Sequence, residues 1–220
     1  MPLTTVIFDI DGLLIDSEPL WQEAAYEVFQ QYGVKMTSEQ YNSSVGLRTK
    51  EFVHWWFTIY QIPMSEAPAV EAKIVKRVLQ KIEEKAKILP GVAHAFEFFF
   101  NKNFKIGLAT SSPPALIDLV VSMTGIGPFL QATASAEELP YGKPHPQVYL
   151  NCAAEMNSHP LECICFEDSF NGMIAAKAAR MKCVVIPHNA VSKEDRWAAA
   201  DLKLSSLQNF GELHFNMLNN

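Results

Sequence analysis

Val6-Ile7-Phe8-Asp9-Ile10-Asp11-Gly12 decides how this chain is read. A short apolar run ends at two acids and a glycine, as a buried strand ends at a polar loop. The pattern returns twice. Lys105 to Ala109 reads as a buried strand and runs into Thr110, Ser111 and Ser112; Cys163 to Phe166 runs into Glu167 and Asp168. Further strands are expected at Ala132 to Ser135 and at Cys183 to Ile186. Helical patterns fill the intervals: Val92 to Phe100, Pro113 to Met123, Pro146 to Met156 and Ser169 to Ala179. Strands alternating with helices imply parallel βαβ units with helices on both faces of the sheet.

One interval differs. From Ser17 to about Tyr32 the pattern is helical, with Ser17 as cap, an apolar stripe of Trp21, Ala24, Ala25, Val28 and Phe29, and Gly33 as stop. Ser38 to Val45, Thr49 to Tyr60 and Pro68 to Ala86 also read as helices. The expected fold is therefore α/β. A Rossmann-like parallel sheet core, residues 1–14 and 87–220, receives an all-helical cap, residues 15–86, after its first strand. Such an insertion begins and ends at the carboxyl edge of the sheet, where open α/β sheets bind ligands, so it is placed to act as a lid.

Composition narrows the function. The chain has 220 residues, 49% hydrophobic and 19% charged, an ordinary globular balance. Lys plus Arg number 18 against 24 Asp plus Glu, a net charge of -6 that disfavours a broad nucleic-acid face. No apolar run is long enough to span a membrane, and Asp9 and Asp11 interrupt the only early one, so neither a transmembrane helix nor a signal peptide is expected. Cys152, Cys163, Cys165 and Cys183 fall in segments that read as buried, and are expected to pack as small hydrophobes rather than form disulfides or bind metal. The expected location is the cytoplasm, with no obligate protein partner evident.

The chemistry sits at the strand ends. Asp9, Asp11, Glu167 and Asp168 would gather with three hydroxyls at one sheet edge, a cluster that repels itself unless a cation enters. All-oxygen ligation selects a hard ion, and Mg²⁺ fits best when a substrate phosphate completes its shell. Taken singly, each piece has a plainer reading. The acidic pair can be a turn, Thr110-Ser111-Ser112 a loop and helix cap, Glu167-Asp168-Ser169 a cap, and Lys143 a solvated loop lysine. What is specific is all four in this order, each at a strand end or in the loop beyond it.

That set resembles the four motifs of the haloacid dehalogenase superfamily: Phe8-Asp9-Ile10-Asp11-Gly12, Leu108-Ala109-Thr110-Ser111-Ser112, Lys143-Pro144-His145-Pro146 and Glu167-Asp168-Ser169. Gly12-Leu13-Leu14-Ile15-Asp16-Ser17-Glu18-Pro19 and Glu167-Asp168-Ser169-Phe170-Asn171-Gly172 are most similar to the branch holding beta-phosphoglucomutase and the 2-deoxyglucose-6-phosphate phosphatases. The resemblance implies a Mg²⁺-dependent phosphatase of small phosphorylated metabolites such as 2-deoxyglucose 6-phosphate, with a beta-phosphoglucomutase-like isomerase as the alternative. It implies that Asp9 is the nucleophile that forms an aspartyl phosphate, and that Asp11 is the acid and base. Asp9, Asp11 (through its backbone carbonyl), Glu167 and Asp168 would surround the metal. Thr110, Ser111, Ser112 and Lys143 would bind the phosphoryl group, with Lys143 also stabilising charge on the nucleophile.

The cap is less legible. Gly46-Leu47-Arg48 resembles the cap loop that faces the active site, which makes Arg48 a candidate for the non-reacting part of the substrate. At least two of His54, Trp55 and Trp56 are expected to pack within the lid or against the core, and Phe96 to Phe100 to be core. At the position where beta-phosphoglucomutases carry a lid histidine that gates the acid/base, this chain has Trp21. Tryptophan cannot titrate near neutral pH, so packing is its expected main role. A phospho-acceptor receiver domain is excluded by length, by the helical insertion and by the order of its acids. A dinucleotide-binding oxidoreductase is excluded because no G-x-G-x-x-G follows a strand.

Overall fold

The computed structural model describes residues 1–219. Its first strand, β1 (Thr5–Phe8), lies at the middle of a six-stranded sheet. On one side follow β2 (Lys105–Thr110) and β3 (Ala132–Ser135); on the other, β4 (Cys163–Glu167), β5 (Lys182–Val185) and β6 (Leu202–Lys203). All five pairings are parallel. The order reverses beside β1, so the carboxyl ends of β1, β2 and β4 open onto a topological switch point. That is where the acids and hydroxyls were expected.

Alternation along the strands builds two cores. Val6, Phe8, Leu108 and Phe166 face α5 (Val92–Asn101), α6 (Pro114–Thr124) and α9 (Glu212–Asn219). Phe8 stacks between Phe96 and Phe166, with ring centroids 4.6 and 5.0 Å away. Ile7, Ala109, Cys165 and Cys183 face α7 (Gln147–Glu155) and α8 (Phe170–Ala178). The second face is built of small residues, which lets those helices approach closely. All four cysteines are buried and unbridged. Phe100 corrects the expected Phe96–Phe100 core: Phe96 and Phe99 are fully buried, but Phe100 is 52% exposed on the outer side of α5.

Between β1 and β2 the chain forms α1 (Glu18–Gln30), α2 (Ser38–Asn42), α3 (Thr49–Tyr60) and α4 (Ala67–Lys85). Phe29, Val53, Phe57, Val70 and Ile74 are buried among them. The two ends of this insertion pair with each other: Asp16 N–H donates to Lys87 O and Leu89 N–H to Leu14 O, both at 2.9 Å. α2 ends earlier than the pattern to Val45 suggested. The hydroxyls of Ser43 and Ser44 bond back to the carbonyls of Gln40 and Tyr41, offering the backbone an alternative to further helix. β6 and α9 lie beyond the last strand expected from sequence. Among the described residues, no helix is long and apolar enough to cross a membrane.

Candidate active site

Asp9 follows β1 directly, and its N–H is fixed by Phe166 O at 3.0 Å. Lys143, in the loop before α7, reaches it across the switch point. Its ammonium donates to Asp9 Oδ1 at 2.7 Å, Glu167 Oε1 at 2.6 Å and Ala109 O at 3.0 Å. Those three acceptors use all three of its protons. Burial works against the charge on Lys143, but the Asp9 and Glu167 carboxylates outweigh it and hold its pKa above the ordinary lysine range. Glu167 is more heavily engaged still. Tyr149 Oη donates to Oε1 at 2.5 Å, and Oε2 accepts from the Asp168 and Ser169 N–H groups and from Ser169 Oγ. Gly172 makes this possible, since a Cβ there would lie 1.8 Å from Glu167 Oε1.

Asp11 is pinned by three side chains. Oδ1 accepts from Ser17 Oγ and Trp21 Nε1, both at 2.7 Å, and Oδ2 accepts from Ser112 Oγ at 2.6 Å. Two sequence readings are corrected here. Ser17 makes no side-chain cap bond to α1, because its hydroxyl is committed to Asp11. Trp21 does more than pack: it carries a hydrogen-bond donor from the cap to the expected acid/base. Indole N–H is a strong enough donor to seek a partner when buried, a signal that could have flagged it. Thr110 is buried at the end of β2, and its Oγ1 accepts from Ser112 N–H at 3.0 Å.

Arg48 is the third correction. Its side chain does not line the cavity under the cap. The guanidinium turns into the loop after β3, where Nη1 donates to Ala136 O at 2.9 Å and to Leu139 O. Glu137 O and Pro140 O lie farther, at 3.4 Å each, and Glu51 Oε1 takes Nη2 at 2.6 Å. Glu51 Oε1 also accepts Gly142 N–H at 3.1 Å, next to Lys143. The same cap loop touches the other motifs: Ser111 Oγ donates to Gly46 O and Asn171 Nδ2 to Val45 O. Of the three cap aromatics, only Trp56 is buried, with its indole on Ser44 Oγ. Trp55 is 57% exposed, and His54 is half-exposed beside Glu71.

The enclosed cavity has a volume of about 70 Å³. Asp9, Asp11, Thr110, Ser111, Ser112, Lys143 and Asp168 line its floor, and Glu18, Trp21, Tyr41, Ser44, Thr49 and Phe52 are among its cap residues. Glu18 was not singled out from sequence, because as the first residue of α1 it looks like ordinary helix-dipole acid. Oxygens of Asp9, Glu167 and Asp168 lie within 4.8 Å of one another. Gly12, with φ +68°, admits this crowding: a Cβ there would sit 2.1 Å from Asp168 Oδ2. Burial, then the net effect of the neighbouring charges, lifts Asp9 to about 7. Burial, with Asp11, Asp9 and Asp16 adding to it, lifts Glu18 to about 8. Asp168 is raised well above the carboxylate range by burial and by Glu18, Asp9 and Glu167. Converging oxygen donors short of positive charge are the donor set of a hard divalent cation, so these residues fit Mg²⁺.

A family model described as haloacid dehalogenase-like hydrolase matches residues 3–180. The chain belongs to the haloacid dehalogenase-like hydrolases. Hexitol phosphatase B of Escherichia coli K12 is 41% identical over 206 residues, covering 93% of each chain. A phosphorylated carbohydrates phosphatase of Thermotoga maritima is 30% identical over 177 residues, covering 80% of this chain and 82% of its own. This haloacid dehalogenase-like hydrolase is thus an enzyme, a phosphoric monoester hydrolase. Its fold is shared by a beta-phosphoglucomutase from Clostridium difficile, with a TM-score of 0.85 and 22% identity over 99% of this chain and 97% of that one. CbbY from Rhodobacter sphaeroides in complex with phosphate gives 0.84 and 23% over 97% and 98%.

Proposed function

We propose that this hydrolase is a Mg²⁺-dependent phosphatase of small sugar phosphates, 2-deoxyglucose 6-phosphate among them, working beneath a cap formed by residues 15–86. One observation carries the reading: the two acids after β1 are held for different tasks. Lys143 binds one oxygen of Asp9, and attack on phosphorus needs only the other. Asp11, two residues on, is locked in place by three donors from both the cap side and the core. Fixed placement is what a general acid needs to reach the leaving oxygen. Asp9 forms the aspartyl phosphate, and Asp11 delivers a proton to the departing sugar oxygen. Asp11 then takes a proton from the water that opens the intermediate. Thr110 and Ser111 orient the phosphoryl oxygens, and Lys143 offsets charge at Asp9.

Asp9, Asp168 and the Asp11 backbone carbonyl would hold Mg²⁺, which supplies charge neutralisation between two anions. Glu167 belongs beside this shell rather than in it, since five donors already occupy its oxygens. Relatives named as phosphatases of hexitols and phosphorylated carbohydrates support the substrate class. Trp21 holds Asp11 without being able to titrate, so the water-excluding gate of a mutase has no proton switch here. The test is a phosphate-release screen over phosphorylated metabolites, with Mg²⁺ and with EDTA. Turnover is expected on sugar phosphates, lost in EDTA and restored by Mg²⁺. Full activity in excess chelator would overturn the reading. Isomerisation of β-glucose 1-phosphate without phosphate release would replace it with a mutase.

A further inference from the structure

The cap half of the cavity contains no positive charge. Among the residues lining it, Lys143 is the one base, and it belongs to the floor. All three of its protons are already given to Asp9, Glu167 and Ala109 O. Arg48 stands close by in sequence to the lining residues Leu47 and Thr49, yet its guanidinium is turned out into the loop after β3. The only charged side chain that the cap gives the cavity is an acid, Glu18. Around it stand neutral groups of two kinds. Tyr41, Ser44 and Thr49 carry hydroxyls, whereas Phe52 and Ile74 are apolar.

These observations bear on what the non-reacting end of a substrate must be. A second phosphate placed under the cap would lose its hydration and meet no cation. It would face Glu18, with Asp11 and Asp168 beyond it, and like charges brought together in a closed site are strongly rejected. A sugar or polyol end meets the opposite situation. Its hydroxyls can donate to the Glu18 carboxylate and exchange hydrogen bonds with the neutral hydroxyls, while its C–H face lies on Phe52.

We infer that the cavity selects esters with a single phosphate on a neutral, hydroxyl-rich body and turns away bisphosphates, with Glu18 as the specificity-determining residue. The inference rests on the phosphatase reading above and narrows its substrate class. Repulsion of this kind separates the two classes by at least about 30-fold in kcat/KM.

The test uses the intact protein with Mg²⁺ and three compounds: glucose 6-phosphate, glucose 1,6-bisphosphate and a small aryl phosphate. Phosphate release gives kcat/KM for each, and the bisphosphate is also tried as a competitor of glucose 6-phosphate. The monophosphate should exceed the bisphosphate by at least about 30-fold, and the bisphosphate should compete weakly, with an inhibition constant at least as far above the glucose 6-phosphate KM. Glu18→Gln removes the charge while keeping the shape, and should narrow the monophosphate-to-bisphosphate ratio by about tenfold. A smaller wild-type ratio, or tight competition by the bisphosphate, would overturn the selection. An unchanged ratio in Glu18→Gln would overturn the role of Glu18. Neither wild-type measurement depends on a variant folding. Failure to hydrolyse any of the three compounds, the aryl phosphate included, would instead overturn the phosphatase reading and this inference with it.

Discussion

Arg48→Ala tests how the cap is held to the core. A hydrogen bond involving a charged group contributes about 1.5–3 kcal/mol net. The pair with Glu51 lies within the cap and does not change when the cap lifts. Of the four carbonyl contacts, those to Glu137 and Pro140 are long, at 3.4 Å, which leaves Ala136 and Leu139 as the bonds that count. Residues 137–140 lie near the surface, so water recovers part of the loss. Closure should therefore weaken by about 2–4 kcal/mol, or about 30- to 1000-fold in the ratio of closed to open cap. Because Glu51 also holds the N–H of Gly142, its release loosens the loop that delivers Lys143. Turnover of sugar phosphate and of small aryl phosphate should fall together, by up to that factor in kcat/KM. Arg48→Lys should rescue little, since an ammonium cannot fork between carbonyls and a carboxylate. Thermal unfolding should drop by about 4–8 °C at the lower end of this range. Steady-state kinetics on the two substrates, with the melting curve, decide the matter. A rise in KM for the sugar phosphate alone would mean that Arg48 touches the sugar, and would refute the latch.

Asp9→Asn should abolish turnover, because an amide is no nucleophile, while Asp11→Asn should slow it about 10²–10⁴-fold and hurt poor leaving groups most. Both are read by initial rates on aryl and sugar phosphates. Trp21→Phe keeps the packing and removes the N–H on Asp11. It should lower kcat about tenfold with little change in KM, and a pure KM effect would reassign Trp21 to substrate contact. The acids also predict a pH signature. Asp9 and Glu18 move from ordinary values of 3.8 and 4.5 to about 7 and about 8 on folding. Between those limits the folded chain keeps protons that the unfolded chain has released. Metal-free stability is thus untouched below about pH 4 and declines as pH rises toward 8. Mg²⁺ should raise the melting temperature more at pH 8 than at pH 5.5, as scanning fluorimetry would show; an equal gain at both would refute it.

The sheet and its loops were legible because their signals are local. Val6-Ile7-Phe8 and Cys163 to Phe166 are apolar runs that stop at acids, and the backbone leaves few alternatives for such runs. The Ala132–Ser135 strand falls where its alternation put it. What sequence could not show was direction. Arg48 sits on the expected loop, but nothing local reveals that carbonyls 136–140 would be waiting for it. Trp21 fits an apolar stripe equally well whether or not its N–H finds Asp11. Ser17 has two possible acceptors, the start of α1 and Asp11, and only the folded chain chooses between them. Glu18 was hidden by the commonplace role of an acid at a helix start. Phe100 was assigned inward because four aromatics in five residues outnumber what one helix face can bury.

The sheet order has a consequence for how the chain is made. β1 leaves the ribosome first, yet it ends at the centre: Thr5 pairs with both Lys105 and Cys163. Its neighbours are synthesised about a hundred or more residues later, and such distant pairings are slow to form. The helices α1 to α4 need no such wait, because their contacts close over short loops. The insertion is therefore expected to acquire structure on the nascent chain before the sheet that carries it. Meanwhile Val6-Ile7-Phe8 stays an unpaired, apolar strand, the segment most in need of a chaperone until β4 is released.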